Sequence, residues 1–138
     1  MIHTVYLGLG SNLGNREENL RGALFEIASS VGVVEAVSSF IVTEPWGFES
    51  TDTIVNAVCR VQTNLFPMEV LDATQAIERK LGRTKKTVDG VYSDRLIDID
   101  ILLYDDLKMD TPRLIIPHPL MAQRDFVKIP LAELGVVI

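Results

Sequence analysis

The sequence predicts an α+β fold in one domain, residues 1–138, with elements in the order β-α-β-β-α-β. The first observation is composition: 47% of the 138 residues are hydrophobic, which is enough for one buried core. The second is a set of four runs rich in branched apolar residues, which predict strands at 4–9, 33–43, 54–63 and 95–103. The third is apolar residues at helical spacing between these runs, which predict helices at 16–31 and 67–81.

The predicted helices have recognisable start and stop residues. Asn15 is a favoured N-cap residue, and Glu18 stands three positions later, where a glutamate completes a capping box. Pro67 occupies the first-turn position that proline favours in the second helix. Gly32 and Gly82 follow the last apolar positions of the two helices, where glycine commonly ends a helix.

This element order is the split βαβ arrangement of ferredoxin-like folds, a βαββαβ sandwich with helices packed on an antiparallel sheet. A short helical tail is expected after Pro119 and again at 126–134. RNA-recognition motifs share the order, but they need stacking aromatic residues on the central strands. The strands offer Tyr6 and Tyr104 but no match to the aromatic-rich signature, and the net charge is −6, so RNA binding is disfavoured.

Two carboxylates stand on one face of the last predicted strand. Asp98 and Asp100 are two residues apart, so their side chains share a face, with Cα atoms roughly 7 Å apart. Ile97, Ile99 and Ile101 would then fill the opposite face, toward the core. Adjacent carboxylates repel each other unless a cation lies between them, and Mg²⁺ shared with a phosphate is a common solution. The alternative is a strand whose second face is merely solvated.

A basic segment precedes the aspartate strand. Between Arg79 and Arg95 lie six of the thirteen Lys and Arg residues, but only two of the nineteen Asp and Glu residues. Such an island in an acidic chain favours local anion binding over a general affinity for nucleic acid. A basic loop beside paired carboxylates is typical of a Mg²⁺–polyphosphate site. A solvated charged loop is the alternative.

Cysteine content and hydropathy favour a cytoplasmic protein. Cys59 is the only cysteine, so it has no partner for an internal disulfide, and its apolar run predicts a core position. No apolar run reaches the roughly 18 residues that a membrane span needs. The N-terminus enters a strand directly, without a basic leader.

The chain resembles the 6-hydroxymethyl-7,8-dihydropterin pyrophosphokinase family of folate biosynthesis, whose members move pyrophosphate from ATP to the pterin hydroxymethyl group and release AMP. The resemblance runs nearly end to end, and the order and spacing of its motifs make it specific. Those motifs are Leu9-Gly10-Ser11-Asn12-Leu13-Gly14, Ser38-Ser39-Phe40, Thr43-Glu44-Pro45-Trp46-Gly47, Asn56-Ala57, Gln75-Ala76-Ile77-Glu78, Gly82-Arg83, Arg95 with Asp98-Ile99-Asp100, Pro117-His118-Pro119 and Arg124-Asp125-Phe126.

The resemblance implies a role for each matching residue. Catalysis is implied for Arg83, Arg95, Asp98 and Asp100, with the two aspartates holding two Mg²⁺ ions around the phosphates of the co-substrate ATP. Contacts with ATP are implied for Gln75, Glu78, Lys85, Arg113, His118 and Arg124. Contacts with the pterin are implied for Thr43, Glu44, Trp46, Ile54, Asn56 and Phe126. The implied partners are these two small molecules, with no nucleic acid and no membrane, and we expect a monomer.

Some of these residues have simpler interpretations without the resemblance. Glu78 reads as a solvated helix residue, Trp46 as a hydrophobic plug, and His118 as a loop histidine. The chain also departs from the family pattern, since Ile54 stands where relatives often carry an aromatic residue and Asp94 precedes Arg95. We further expect the loops at 44–52 and 84–94 to close over the bound substrates.

Two other functions remain open at this stage. One is a pterin- or nucleotide-binding protein that has lost catalysis, although retention of Asp98, Asp100, Arg83 and Arg95 disfavours it. The other is a metal-dependent nuclease or nucleic-acid module built on the aspartate pair, which predicts salt-sensitive binding to DNA or RNA.

Overall fold

The predicted α+β fold with an antiparallel sheet is confirmed by the computed structural model, which describes residues 1–43, 53–82 and 96–138. The strands of the main sheet are β1 His3–Ser11, β2 Val33–Val37, β3 Ile41–Thr43, β4 Ile54–Thr63 and β5 Asp98–Tyr104. The helices are α1 Arg16–Ser30, α2 Pro67–Lys80 and α3 Asp125–Glu133, with a 3₁₀ turn at Met121–Gln123. A small hairpin consists of β6 Met109–Asp110 and β7 Ile115–Ile116.

The strand predicted at 33–43 is two strands, and both pair with β4. The sheet order is β2-β4-β1-β5, with β3 also on β4, and the pairings of β4 and β5 with β1 are antiparallel. The interruption lies at Ser38, which is buried and whose backbone N–H donates to the Val58 carbonyl at 2.8 Å. The Ser38 hydroxyl oxygen accepts from the Val58 N–H at 2.9 Å, so a side chain replaces one backbone ladder contact.

The two faces of the sheet carry different cores. One face packs against α1 and α2 through fully buried residues such as Leu7, Leu20 and Ile27, and the predicted inward residues Ile97, Ile99 and Ile101 belong to it. Cys59 lies in this core as predicted, and burial raises the pKa of its thiol to about 12 against a smaller opposite effect of a hydrogen bond with the Leu7 backbone.

The opposite face has a smaller apolar cluster that seats α3. Val127 and Leu131 of α3 pack with Met121 against Val58 of β4 and Leu102 of β5. Leu102 continues the alternation of Asp98 and Asp100, and a register irregularity between Tyr6 and Leu7 brings Leu103 to this face as well.

The predicted helix boundaries agree with the structure because side-chain oxygens accept hydrogen bonds from backbone N–H groups where the helices begin. The side-chain oxygen of Asn15 accepts from the Glu18 N–H at 3.2 Å at the start of α1. The Glu69 carboxylate accepts from the Phe66 N–H at 2.8 Å at the start of α2. At Gly32, a Cβ would overlap the backbone carbonyl of Gln62, so glycine permits the close approach of the α1–β2 turn to β4.

Within the described ranges, no helix is both long and apolar enough to cross a membrane.

The 3₁₀ turn and α3 correspond in sequence position to the predicted helical tail. The β6–β7 hairpin was not predicted, because strands of two residues leave no readable alternation in a sequence.

A contact between a carboxylate and a histidine at the N-terminal end of β1 predicts a measurable pH dependence of stability. The Asp105 carboxylate contacts His3 Nδ1 at 2.6 Å and accepts from the Thr4 N–H at 2.8 Å. Burial raises the pKa of Asp105, but the Thr4 hydrogen bond and the contact with His3 outweigh it, so the net pKa is lowered. A lowered folded-state pKa stabilises the fold above the unfolded value of about 3.9, and that contribution is lost as pH falls through the folded value.

We therefore expect the wild type to lose more stability than Asp105→Asn as pH falls below about 4, measured by urea unfolding at each pH. Asparagine suits this comparison because residue 105 has a φ of 49°, which asparagine tolerates well. Parallel pH profiles for the two proteins would contradict the prediction.

Candidate functional site

Asp98 and Asp100 lie beside two glycines of β1 on one face of the sheet. Asp98 is paired with Gly10 and Asp100 with Gly8, so all four residues share the face on which α3 lies. On its other side, Gly10 is paired with Asn56 of β4. Asn56, Gly10 and Asp98 therefore form a row across three neighbouring strands, and the glycine leaves space between an amide and a carboxylate.

Asn56 is held in a fixed orientation at one end of this row. It is 7% exposed, and its Nδ2 donates to the Thr43 hydroxyl oxygen at 3.2 Å. Thr43 is paired with Ile54 across β3 and β4, so these three predicted pterin contacts lie together. A Cβ at Gly10 would lie 3.0 Å from Asn56 Oδ1, which is tighter than ordinary contact.

A pocket of about 270 Å³ lies at the other end of the row. Asp100 lines it, so the pocket is continuous with the aspartate strand. Its remaining walls come from α2, from β5 and from the segment containing the β6–β7 hairpin: Leu71, Ile99, Ile101, Thr111, Pro112, Arg113, Leu114, Ile115, His118 and Pro119. Most of these side chains are apolar, while Arg113, His118 and Asp100 supply charge or hydrogen bonds.

Arg113 links the hairpin to α2. Its Nη2 lies 2.9 Å from the Asp72 carboxylate and donates to Gln75 Oε1 at 3.4 Å. Both charged side chains are more than half exposed, so the pair is screened and can be exchanged for a ligand at little cost. Two predicted ATP contacts, Arg113 and Gln75, are thus adjacent beside the pocket.

His118 is oriented by the backbone. Its N–H donates to the Leu102 carbonyl at 3.0 Å, and its Nδ1 accepts from the Leu120 N–H at 3.2 Å. Partial burial lowers the pKa of His118, the Arg124 guanidinium lowers it further, and the Asp98 carboxylate opposes them. The ring is therefore neutral at neutral pH and, because Nδ1 accepts, carries its proton on Nε2.

Arg124 immediately precedes helix α3 and lies near His118, and Phe126 lies in the first turn of the helix. The Arg124 guanidinium carbon lies 5.5 Å from the centroid of the half-buried Phe126 ring. This distance permits a cation–π contact, which keeps the charged group and the ring together. The structure thus brings these two predicted ligand contacts to the face that carries the aspartates.

Glu78 has a contact that its sequence position did not suggest. It is 3% exposed, and its Oε2 accepts from the backbone N–H of Ile99 at 2.8 Å. Ile99 lies between Asp98 and Asp100, so a buried carboxylate from α2 holds the strand that carries them. The interpretation as a solvated helix residue is wrong, and the predicted ATP contact stays a prediction.

The carboxylate pair suits magnesium bound together with a phosphate. In the described part of the chain, no group of three or more His, Cys, Asp and Glu side chains forms a metal cage. Mg²⁺ commonly takes one or two protein carboxylates and completes its octahedral shell with water and substrate phosphates. Asp98 and Asp100 provide such a donor set, and the side-chain-free Gly8 and Gly10 leave room for a phosphate beside it.

Five predicted site residues lie outside the described residues, namely Arg83, Lys85, Arg95, Glu44 and Trp46, as do the two loops expected to close. Sequence reasoning had missed Gly8, Gly10 and the hairpin walls of the pocket. Gly10 belongs to one of the motifs of the resemblance, but only strand pairing sets it between Asn56 and Asp98.

Comparison with known protein families gives a match over nearly the whole chain. The model described as 7,8-dihydro-6-hydroxymethylpterin-pyrophosphokinase (HPPK) matches residues 6–136. A 2-amino-4-hydroxy-6-hydroxymethyldihydropteridine pyrophosphokinase of Porphyromonas gingivalis is 52% identical over 132 residues, which are 95% of this chain and 90% of the relative. The protein of the same name in Bacillus subtilis is 42% identical over 135 residues, covering 97% and 79% of the two chains.

Solved structures share the fold at low sequence identity. The Plasmodium falciparum HPPK-DHPS wild type with pteroate superimposes with a TM-score of 0.74 at 13% identity. The similarity covers 96% of this chain and 39% of that one, so this chain spans about two fifths of the larger protein. At this identity the likeness shows the fold alone.

Proposed function

The chain belongs to the 7,8-dihydro-6-hydroxymethylpterin-pyrophosphokinase family, and from this premise we propose which of its residues carry out the pyrophosphoryl transfer to hydroxymethyldihydropterin in folate biosynthesis. The observation that carries the proposal is the row of Asn56, Gly10 and Asp98 across three strands. It offers an amide for a polar ring and a carboxylate for a metal-bound phosphate, with space between them.

The products determine where the bond must form. The β- and γ-phosphates of ATP move together, so the hydroxymethyl oxygen attacks the β-phosphorus while the bond from that phosphorus to the α,β-bridging oxygen breaks. The hydroxyl proton is lost and AMP leaves. The protein must therefore hold the acceptor oxygen in line with the leaving oxygen and stabilise negative charge between them.

Asp98 and Asp100 are the proposed ligands of two Mg²⁺ ions. When bound, the metal supplies charge neutralisation and alignment of the phosphates. Glu78 holds the Ile99 backbone between the two aspartates, which keeps their separation constant. His118 would donate its Nε2–H, and Arg124 its guanidinium hydrogens, to phosphate oxygens without competing for the metal.

The pocket beside Asp100 is the proposed site for the adenosine part of ATP. Its apolar walls at Leu71, Ile101 and Leu114 suit a flat heteroaromatic ring. Arg113 would exchange Asp72 for a ligand group, with Gln75 next to it. The phosphates would then extend along the strand from Asp100 to Asp98.

The pterin is proposed to lie over Gly10, with its polar edge at Asn56. The Asn56 amide both donates and accepts, which suits the mixed edge of a pterin ring, and Thr43 fixes its rotation. Phe126 would cover one ring face and Ile54 the other, so that one side is aromatic and one aliphatic. The proposed set is completed by pterin contacts from Glu44 and Trp46, an ATP contact from Lys85, and phosphate contacts from Arg83 and Arg95. We propose that the chain forms a single catalytic domain and acts as a cytoplasmic monomer.

Product analysis tests the proposed activity directly. With ATP, Mg²⁺ and 6-hydroxymethyl-7,8-dihydropterin, the purified protein should form AMP and the pterin diphosphate in equal amounts. Chelation of divalent cations should stop the reaction, and added Mg²⁺ should restore it. Formation of ADP in place of AMP, or full activity with excess chelator, would contradict the proposal. Binding of both substrates without any product would instead favour the non-catalytic alternative.

A further inference from the structure

A pair of hydrogen bonds joins the C-terminal end of α3 to the bend between β2 and β3. Glu133 Oε1 accepts from the Ser39 N–H at 2.9 Å and from the Ser39 hydroxyl at 2.7 Å. The partners are 94 residues apart in the chain, so the contact belongs to the tertiary structure. We call this pair of hydrogen bonds the Glu133–Ser39 clasp.

The bend that the clasp holds is also anchored to the sheet. Ser38 exchanges two hydrogen bonds with the Val58 backbone, through its own N–H and its side-chain oxygen. Two residues beyond Ser39, β3 begins, and its last residue Thr43 holds the Asn56 amide. The bend therefore connects β4, β3 and α3 at a single point.

Helix α3, which the clasp holds, carries Phe126, the residue proposed to cover one face of the pterin ring. Phe126 and Glu133 are seven residues apart, close to two helical turns, so they lie on the same side of α3 about 10 Å apart. A rotation of α3 about its axis would move both side chains together. Arg124, which precedes the helix, would move with them.

The remaining contacts of α3 constrain its rotation about its own axis less strictly than the clasp does. Val127 and Leu131 pack in an apolar cluster, and such packing is non-directional. Pro130 lies inside the helix and cannot donate the backbone hydrogen bond that would normally reach the Phe126 carbonyl. Arg60 Nη1 donates to the Leu134 carbonyl at 3.3 Å, which holds the helix end but not its rotation.

We infer that Glu133 and Ser39 are positioning residues for the pterin: the clasp sets the spacing between Phe126 on α3 and the Thr43–Asn56 pair on the sheet. The inference rests on the proposed pterin site and adds two residues to it. Neither residue touches the substrate in this arrangement, and both act through the elements they join.

Substitution of Glu133 tests the clasp by a difference between two ligands. In Glu133→Ala, the Kd of 6-hydroxymethyl-7,8-dihydropterin, measured with Mg²⁺ and a non-hydrolysable ATP analogue present, should rise about fivefold or more, the lower end of the coupling typical between two sites. The Kd of the analogue alone should change less, because its proposed pocket lies at α2, β5 and the β6–β7 hairpin and only Arg124 among its proposed contacts adjoins α3. The KM for the pterin should rise more than kcat falls.

Matched variants distinguish positioning from general destabilisation. Glu133→Gln keeps a carbonyl oxygen at the same place and should recover most of the affinity. Ser39→Ala removes the hydroxyl but keeps the N–H donor, so its effect should be smaller, and the double variant should be no worse than Glu133→Ala. Glu17→Ala removes an exposed acid on α1 and should leave both affinities unchanged.

Three results would overturn the inference: an unchanged pterin Kd in Glu133→Ala, an equal loss of both ligands, or a Glu133→Gln variant as weak as Glu133→Ala. Asn56→Ala, measured alongside, separates this failure from that of the proposed site. If Asn56→Ala loses pterin affinity and Glu133→Ala does not, only the clasp is wrong. If neither variant loses affinity, the pterin site lies elsewhere.

Discussion

Replacing Asp98 or Asp100 of β5 should nearly abolish catalysis while leaving the fold intact. For Asp98→Ala and for Asp100→Ala, we expect the rate of pterin-dependent AMP formation to fall by about 10³-fold or more. Each carboxylate is proposed to hold a cation that neutralises the transferring phosphates, and no other group can take over that charge in the same place. Both side chains are only half-buried, and their neighbours Ile97, Ile99 and Ile101 face the other way, so stability should change little.

The experiment should compare single-turnover rates, Mg²⁺ dependence and urea unfolding. Asp98→Asn and Asp100→Asn keep the size of the side chain and remove its charge, so they should be nearly as inactive as the alanine variants. Asp106→Asn, on an exposed turn beyond the strand, serves as the matched control and should retain full activity. Near-normal AMP formation by either alanine variant would exclude that aspartate from the metal site.

The second large effect is expected at Asn56. Asn56→Ala should weaken pterin binding by about 1–3 kcal/mol for each ring polar group left unpaired, which is roughly 5- to 150-fold for one group. The loss is large because the amide is buried beside Gly10 and water has little access to replace it. Nucleotide affinity should stay close to normal, since the proposed adenosine pocket lies beyond Asp100.

Gly10→Ala provides an independent variant for the same site. Its Cβ would lie 3.0 Å from Asn56 Oδ1, so it should displace the amide and occupy the space proposed for the ring. We expect it to weaken pterin binding while Asn64→Ala, an exposed asparagine after β4, leaves binding unchanged. Isothermal titration of each ligand measures these changes. Equal losses of pterin and nucleotide in Asn56→Ala would remove Asn56 from ring recognition.

Several residues of the site could be predicted because they depend only on local spacing or on motifs. Two carboxylates two positions apart must share a strand face, and Asp98 and Asp100 do. The resemblance implied that Asn56 and Thr43 contact the same ligand, and the two side chains are hydrogen-bonded to each other. Glu78 shows the limit of this reasoning, because an acid at a helical position gives no sign of whether it meets water or the backbone N–H of Ile99.

The sequence by itself determined the order of the elements, the bounds of α1 and α2, the inward face of β5 and the family. These depend on periodicities of two and 3.6 residues, on capping residues and on motif order, all of which act over short stretches of chain. The tertiary structure alone decided that Gly10 lies between Asn56 and Asp98, that the β6–β7 hairpin walls a pocket, and that Glu133 binds Ser39. Those contacts join residues up to 94 positions apart, and their geometry depends on sheet register and helix docking, which no local pattern encodes.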